Sequence, residues 1–136
     1  MLRHPAAIIA AAVGITLLAN LAIWLIGTAA GGSFDHIEDN GHLHTTTAPQ
    51  GVISMTTIPM TIGLTLAALL ARKWPSIIRI AQIVGAVTAL GTIDMTIDAR
   101  FDTASTVALS LMHVVIAVTV VLALEVVRRR ATDRPV

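Results

Sequence analysis

The chain has no cysteine and no tyrosine, two phenylalanines, two tryptophans and a single lysine. Without cysteine there is no disulfide, no thiolate nucleophile and no thiolate metal site. Charge is scarce as well: 12% of the 136 residues are charged, against 55% that are hydrophobic, and the mean hydropathy is +0.82. A soluble domain needs a polar surface that this composition does not supply. There is no phosphate-cradling glycine loop, no nucleophile elbow and no nucleotide fingerprint. The run Arg128–Arg130 reads as a topology anchor beside anionic lipid, so nucleic acid is not an expected partner.

What the chain has instead is four apolar runs, at about residues 5–27, 52–71, 76–97 and 103–127. Each is near the roughly 20 residues that carry a helix across about 30 Å of hydrocarbon. Strands are disfavoured, because an open sheet cannot satisfy its edges in lipid. The fold class predicted is all-α: one integral membrane four-helix domain over residues 1–136. The first run follows a basic start and precedes small residues, as a signal peptide would. Its apolar length exceeds the usual signal core of about 7–15 residues, which predicts a retained helix. Residues 31–50, with Gly31-Gly32 and Asn40-Gly41, read as a coil or a short amphipathic piece.

The few charges are partitioned by this layout. Arg3, Arg72, Lys73, Arg79, Arg128, Arg129, Arg130 and Arg134 fall on one side, and only Arg100 falls on the other. The positive-inside rule then predicts both termini in the cytoplasm of a bacterial plasma membrane, with the 31–50 loop outside. Asp35, Glu38, Asp39, Asp94, Asp98 and Asp102 lie on the outer side, with His36, His42, His44 and His113.

Polar residues also descend from the outer loop into the outer half of the spans. Span one carries Asn20 and Trp24, and span two carries Thr56, Thr57 and Thr61 around Pro59. Span three carries Thr92, Asp94, Thr96 and Asp98, and span four carries Thr106, Ser110 and His113. An ionisable group at such depth costs roughly 2.5–3.5 kcal/mol on insertion scales and usually faces a bundle interior or a wet cavity. An outward-opening polar pocket over an apolar cytoplasmic plug is therefore expected.

Three functional readings follow. In the first, Asp94 is a buried acid, Asp98 its carboxylate partner at i+4, and His113 a base or hydrogen-bond donor. Burial and a neighbouring carboxylate would separate the two acids' proton affinities. Asn20, Trp24, Thr57, Thr61 and Ser110 would orient a lipophilic substrate. The chemistry would be cofactor-free cyclisation, isomerisation or epoxide opening. Against this stands a structural role: Asp94 and Asp98 capping the bundle end, and His113 in an interhelical hydrogen bond.

In the second reading, His36, His42 and His44 bind a divalent metal such as Zn, Cu or Ni at the outer loop, as in an accessory subunit. Against it stands a solvated acidic loop, or a lid docked through Phe34 and Ile37. The third reading is a small proton-coupled transporter. A homo-oligomer would supply the through-pathway that a monomer lacks. Glu125, three and four residues before Arg128 and Arg129, reads as a helix-surface ion pair. Gly85 and Gly91 read as close helix contacts, and Pro59 as a kink.

The segment Ala108-Leu109-Ser110-Leu111-Met112-His113-Val114-Val115 resembles a Leu-Met-His segment in the last helix of a bacterial family of small four-span membrane proteins of unknown function. The resemblance extends over nearly the whole chain and implies the four-helix fold. It implies no activity, and it carries over a single position, His113. The stretch from Asp94 to Asp98 and the His-rich loop are unlike that family's pattern.

Overall fold

The computed structural model describes the backbone of residues 4–37, 41, 43–45 and 49–132. It describes their side chains except at 36–37, 43–45 and 131–132. Four helices form: α1 (Pro5–Ala29), α2 (Pro49–Leu70), α3 (Ile77–Asp98) and α4 (Thr103–Thr132). All four are long and apolar enough to cross a membrane. The protein is an all-α membrane-spanning four-helix bundle, as its apolar runs predict.

Helix bounds follow local chemistry more than hydropathy. Pro5 and Pro49 begin α1 and α2, where the missing N–H forfeits no intrahelical bond. This starts α2 earlier than its apolar run does. At the other extreme α4 continues past Val127 to Thr132. There Glu125 accepts from Arg128 at 2.6 Å and from Arg129 at 2.9 Å. Pairs at i+3 and i+4 support a helix after its lipid-facing sequence has ended. Gln82 of α3 also donates to the Val121 carbonyl at 3.0 Å, tying α3 to the same turn of α4.

After α1 the chain turns at Gly31, whose φ of 93° is a region that side chains rarely enter. It then forms a short antiparallel hairpin, β1 (Asp35–Ile37) with β2 (Leu43–Thr45). His36 stands opposite His44 in the register. The expected coil is corrected on this point: two three-residue strands are too short for alternation to show. Below, the end of the bundle that carries this hairpin is the hairpin end, and the opposite one the terminal end.

Helix α4 is the spine of the bundle. It packs on α1 and α3, and α1 packs on α2, whereas α2 and α3 meet least. Gly85 sets the α3–α4 approach, since a Cβ there would meet Val120 Cγ1 at 2.8 Å. Gly91 plays no such part; a Cβ there meets nothing within 4 Å, so the expectation of a close contact is corrected. Ile8, Ala12, Leu64, Ile78 and Leu124 build an apolar cluster toward the terminal end. A second cluster at the hairpin end holds Phe34, Val52, Ala108 and Met112.

Candidate functional site

Because α2 and α3 splay apart over α4, a cleft of about 740 Å³ runs lengthwise between them. Its volume lies in the range of small-molecule sites. Along α4 its lining runs from Leu109 to Leu124, roughly 22 Å at 1.5 Å per residue. Met55, Pro59, Gly63, Val84 and Thr88 line it and are also exposed, so it opens sideways between the two helices. In a membrane-spanning bundle that opening faces lipid. Helix α2 continues through Pro59, which has no N–H for the Met55 carbonyl four residues back. Both residues line the cleft.

The walls are apolar except for one band. Asn20 of α1 is 1% exposed and reaches the cleft past α2, where its Nδ2 donates to Thr56 Oγ1 at 2.9 Å. Its Oδ1 is buried and has no hydrogen-bond partner among the described residues. An unmet buried acceptor costs about 1–3 kcal/mol. His113 of α4 lines the cleft too, and its Nδ1 lies 2.7 Å from the Leu109 carbonyl. A carbonyl can only accept, so Nδ1 carries the proton and Nε2 of the neutral ring is an acceptor. Asn20 is roughly 14 Å from the Ala29 end of α1, and His113 roughly 15 Å from the Thr103 end of α4. Both residues thus lie well inside their helices, on the hairpin side of the apolar cluster.

The remaining sequence candidates divide between the cleft and other surfaces. Asp94 and Asp98 are exposed on α3 and do not line the cleft. The expectation that Asp94 faces the bundle interior is corrected. The lining face of α3 carries Thr88, Thr92 and Thr96, and the i, i+4 pair of acids falls outside it. Asp94 lies about 6 Å from the end of α3, shallow enough for its carboxylate to approach the interface. Trp24 is half-buried beside Phe34, with ring centroids 6.5 Å apart, and is not a lining residue. Thr57 and Ser110 are half-buried off the cleft. Thr61 is exposed and belongs to a second groove, between α1 and α2. Among the described residues no group of three His, Asp or Glu could hold a metal ion. His42 and the side chains of His36 and His44 lie outside the described residues.

A hydrogen-bonded latch at the hairpin end went unread in the sequence. Asp102 caps α4: its Oδ1 accepts from the Ser105 N–H at 2.9 Å, and its Oδ2 from the Ser105 hydroxyl at 2.6 Å. The same Oδ2 accepts from the Ser33 N–H at 3.0 Å and hydroxyl at 3.1 Å, tying the loop after α1 to α4. The hydroxyl and N–H of Ser105, then those of Ser33, hold the Asp102 carboxyl well below the usual carboxylate range. Phe34, with φ 56° and 2% exposure, is seated against Gly27 and Ala108 by this latch. An Asp three residues before a Ser at a helix start is a legible cap signal. Its second role, on Ser33, spans 69 residues of sequence and is not legible.

The fold and site together define a small membrane-spanning four-helix protein with a lipid-facing cleft and a buried polar band. The chain belongs to DUF6069, a family of unknown function whose model matches residues 2–132. No curated protein and no solved structure matches it.

Proposed function

We propose that this protein takes an elongated lipophilic molecule from the bilayer into the α2–α3 cleft and holds its polar end at Asn20 and His113. The observation that carries this reading is a long sideways opening whose otherwise apolar wall carries Asn20, Thr88 and His113. Following the positive-inside rule, we orient the hairpin end outward and both termini toward the cytoplasm of a bacterial plasma membrane. A long-chain photo-cross-linking lipid in nanodiscs tests the binding. Label should concentrate on the cleft faces of α2 and α3, around Met55–Met60 and Val84–Thr92. Label spread evenly over the lipid-facing surfaces would overturn it.

A second reading keeps the ligand and adds chemistry. It is favoured by the Nε2 of His113, a proton acceptor fixed by the Nδ1–Leu109 bond. In that reading His113 is the general base, and neither Asp94 nor Asp98 is its partner in the cleft. Turnover of a bound lipid that survives His113→Gln would sink it.

A further inference from the structure

The groove between α1 and α2 is separate from the cleft and from the latch. Its lining runs from Gly14 to Pro5 along α1 and from Thr61 to Arg72 along α2, from mid-bundle to the terminal end. Gly14 to Pro5 spans roughly 14 Å at 1.5 Å per residue, close to half of the roughly 30 Å hydrocarbon core. Ala6, Ala10, Thr65 and Leu69 line it and are exposed, so it opens sideways to lipid. Its walls are apolar apart from the Thr61 and Thr65 hydroxyls, and Arg72 is its one charged residue. About 560 Å³ over that length leaves a section of about 40 Å², roughly half that of a helix about 10 Å across. An acyl chain enters where a partner helix cannot.

The Arg72 guanidinium has no hydrogen bond, ion pair or ring contact among the described residues. Its neighbour Lys73 lies over the Trp74 ring at 5.2 Å. Glu125, the one carboxylate among the described residues at that end, is held by Arg128 and Arg129. We infer that the groove binds one acyl chain of an anionic phospholipid from the leaflet at the terminal end, with the lipid phosphate on Arg72. The apolar length below the cation selects a lipid over free phosphate, because only a ligand with a tail gains by covering it. The cation selects a head of net negative charge. In phosphatidylcholine the choline cation offsets the attraction of the phosphate, whereas in phosphatidylglycerol nothing does. A guanidinium also meets phosphate oxygens through two parallel N–H bonds. On the orientation proposed above, this is the cytoplasmic leaflet.

Two probes with identical acyl chains, one bearing a diazirine, test the inference on the full chain in phosphatidylcholine nanodiscs. One is phosphatidylglycerol and the other phosphatidylcholine. The anionic probe should label residues 5–14 of α1 and 61–72 of α2 about fivefold more than the zwitterionic one, the scale of one cation near a membrane surface. Arg72→Gln should bring anionic labelling down to the zwitterionic level. Arg79→Gln removes the same charge at the same end from an exposed residue off the groove, and should leave labelling unchanged. Gly14→Phe should lower labelling by the anionic probe, since a Cβ there meets nothing within 4 Å and the ring enters the groove. The comparison of the two probes on the unaltered chain needs no variant. Equal labelling by both would overturn the choice of an anionic head. An equal loss in Arg79→Gln would assign the effect to the general charge of that end and overturn the site at Arg72. Undiminished labelling in Gly14→Phe would overturn the placing of the chain.

Discussion

The backbone N–H of Phe34 donates to Ser105 Oγ at 2.8 Å, and 71 residues separate the two. Ser105 in turn donates to Asp102 Oδ2 at 2.6 Å. One serine thus joins the residue that fills the hairpin end to the residue that caps the last helix. Asp102→Ala should remove the cap and release Ser33, lowering stability by about 1 kcal/mol. Thermal unfolding in detergent checks this, and an unchanged Tm would contradict it.

The same carboxylate sets a pH dependence. Its folded-state pKa lies below the usual carboxylate value, so its contribution is fully present above that value. The contribution is lost only as pH falls through the depressed folded value. Amide exchange at Ser33 and Phe34 should therefore stay protected through mildly acidic pH and rise only in strong acid. Loss of protection between pH 6 and 5 would point to a different group.

Two glycines of α3 separate a packing role from mere presence. Gly85→Leu must displace Val120, which a Cβ alone would meet at 2.8 Å. Overpacking of this kind costs about 1–3 kcal/mol. Gly91→Leu projects into open space and should leave Tm unchanged or slightly raised. Equal effects at the two positions would contradict the close α3–α4 approach.

Arg100 holds a left-handed φ of 55° in the turn between α3 and α4. That conformation costs an L-residue roughly 1–2 kcal/mol, and glycine adopts it freely. Arg100→Gly should raise Tm, less whatever backbone entropy glycine adds to the unfolded chain. A lower Tm would show that the Arg100 side chain contributes more than the strain it imposes.

Asp94 and Asp98 provide a negative prediction. Neither lines the cleft, so Asp94→Asn and Asp98→Asn should leave lipid labelling of α2 and α3 unchanged within about twofold. A loss above tenfold would restore the carboxylates to the binding site and revive the acid–base reading that pairs them with His113.

How far the sequence could be read depended on the range of the interaction. Four apolar runs placed the helices, because lipid imposes a length and an apolar composition on any spanning segment. His113 and Asn20 stood out as polar groups at depth, and both line the cleft. Asp94 stood out for the same reason and does not, because depth along a helix says nothing about which face a residue occupies. Faces are set by packing partners, and the Asn20–Thr56 and Ser33–Asp102 contacts join residues 36 and 69 apart. The hairpin was hidden by its shortness, and the reach of Asp102 to Ser33 by the 69 residues between them.

Cleft occupancy is most directly measured by filling the cleft. A Cβ at Gly63 meets nothing within 4 Å, and Gly63 lines the cleft, so Gly63→Trp should place an indole in ligand space without strain on the bundle. Ile62, exposed and off the cleft, is its control as Ile62→Trp. With the long-chain photo-cross-linking lipid, Gly63→Trp should reduce labelling of α2 and α3 by at least about fivefold at an unchanged Tm, and Ile62→Trp should not. Undiminished labelling in a folded Gly63→Trp protein would contradict binding in the cleft.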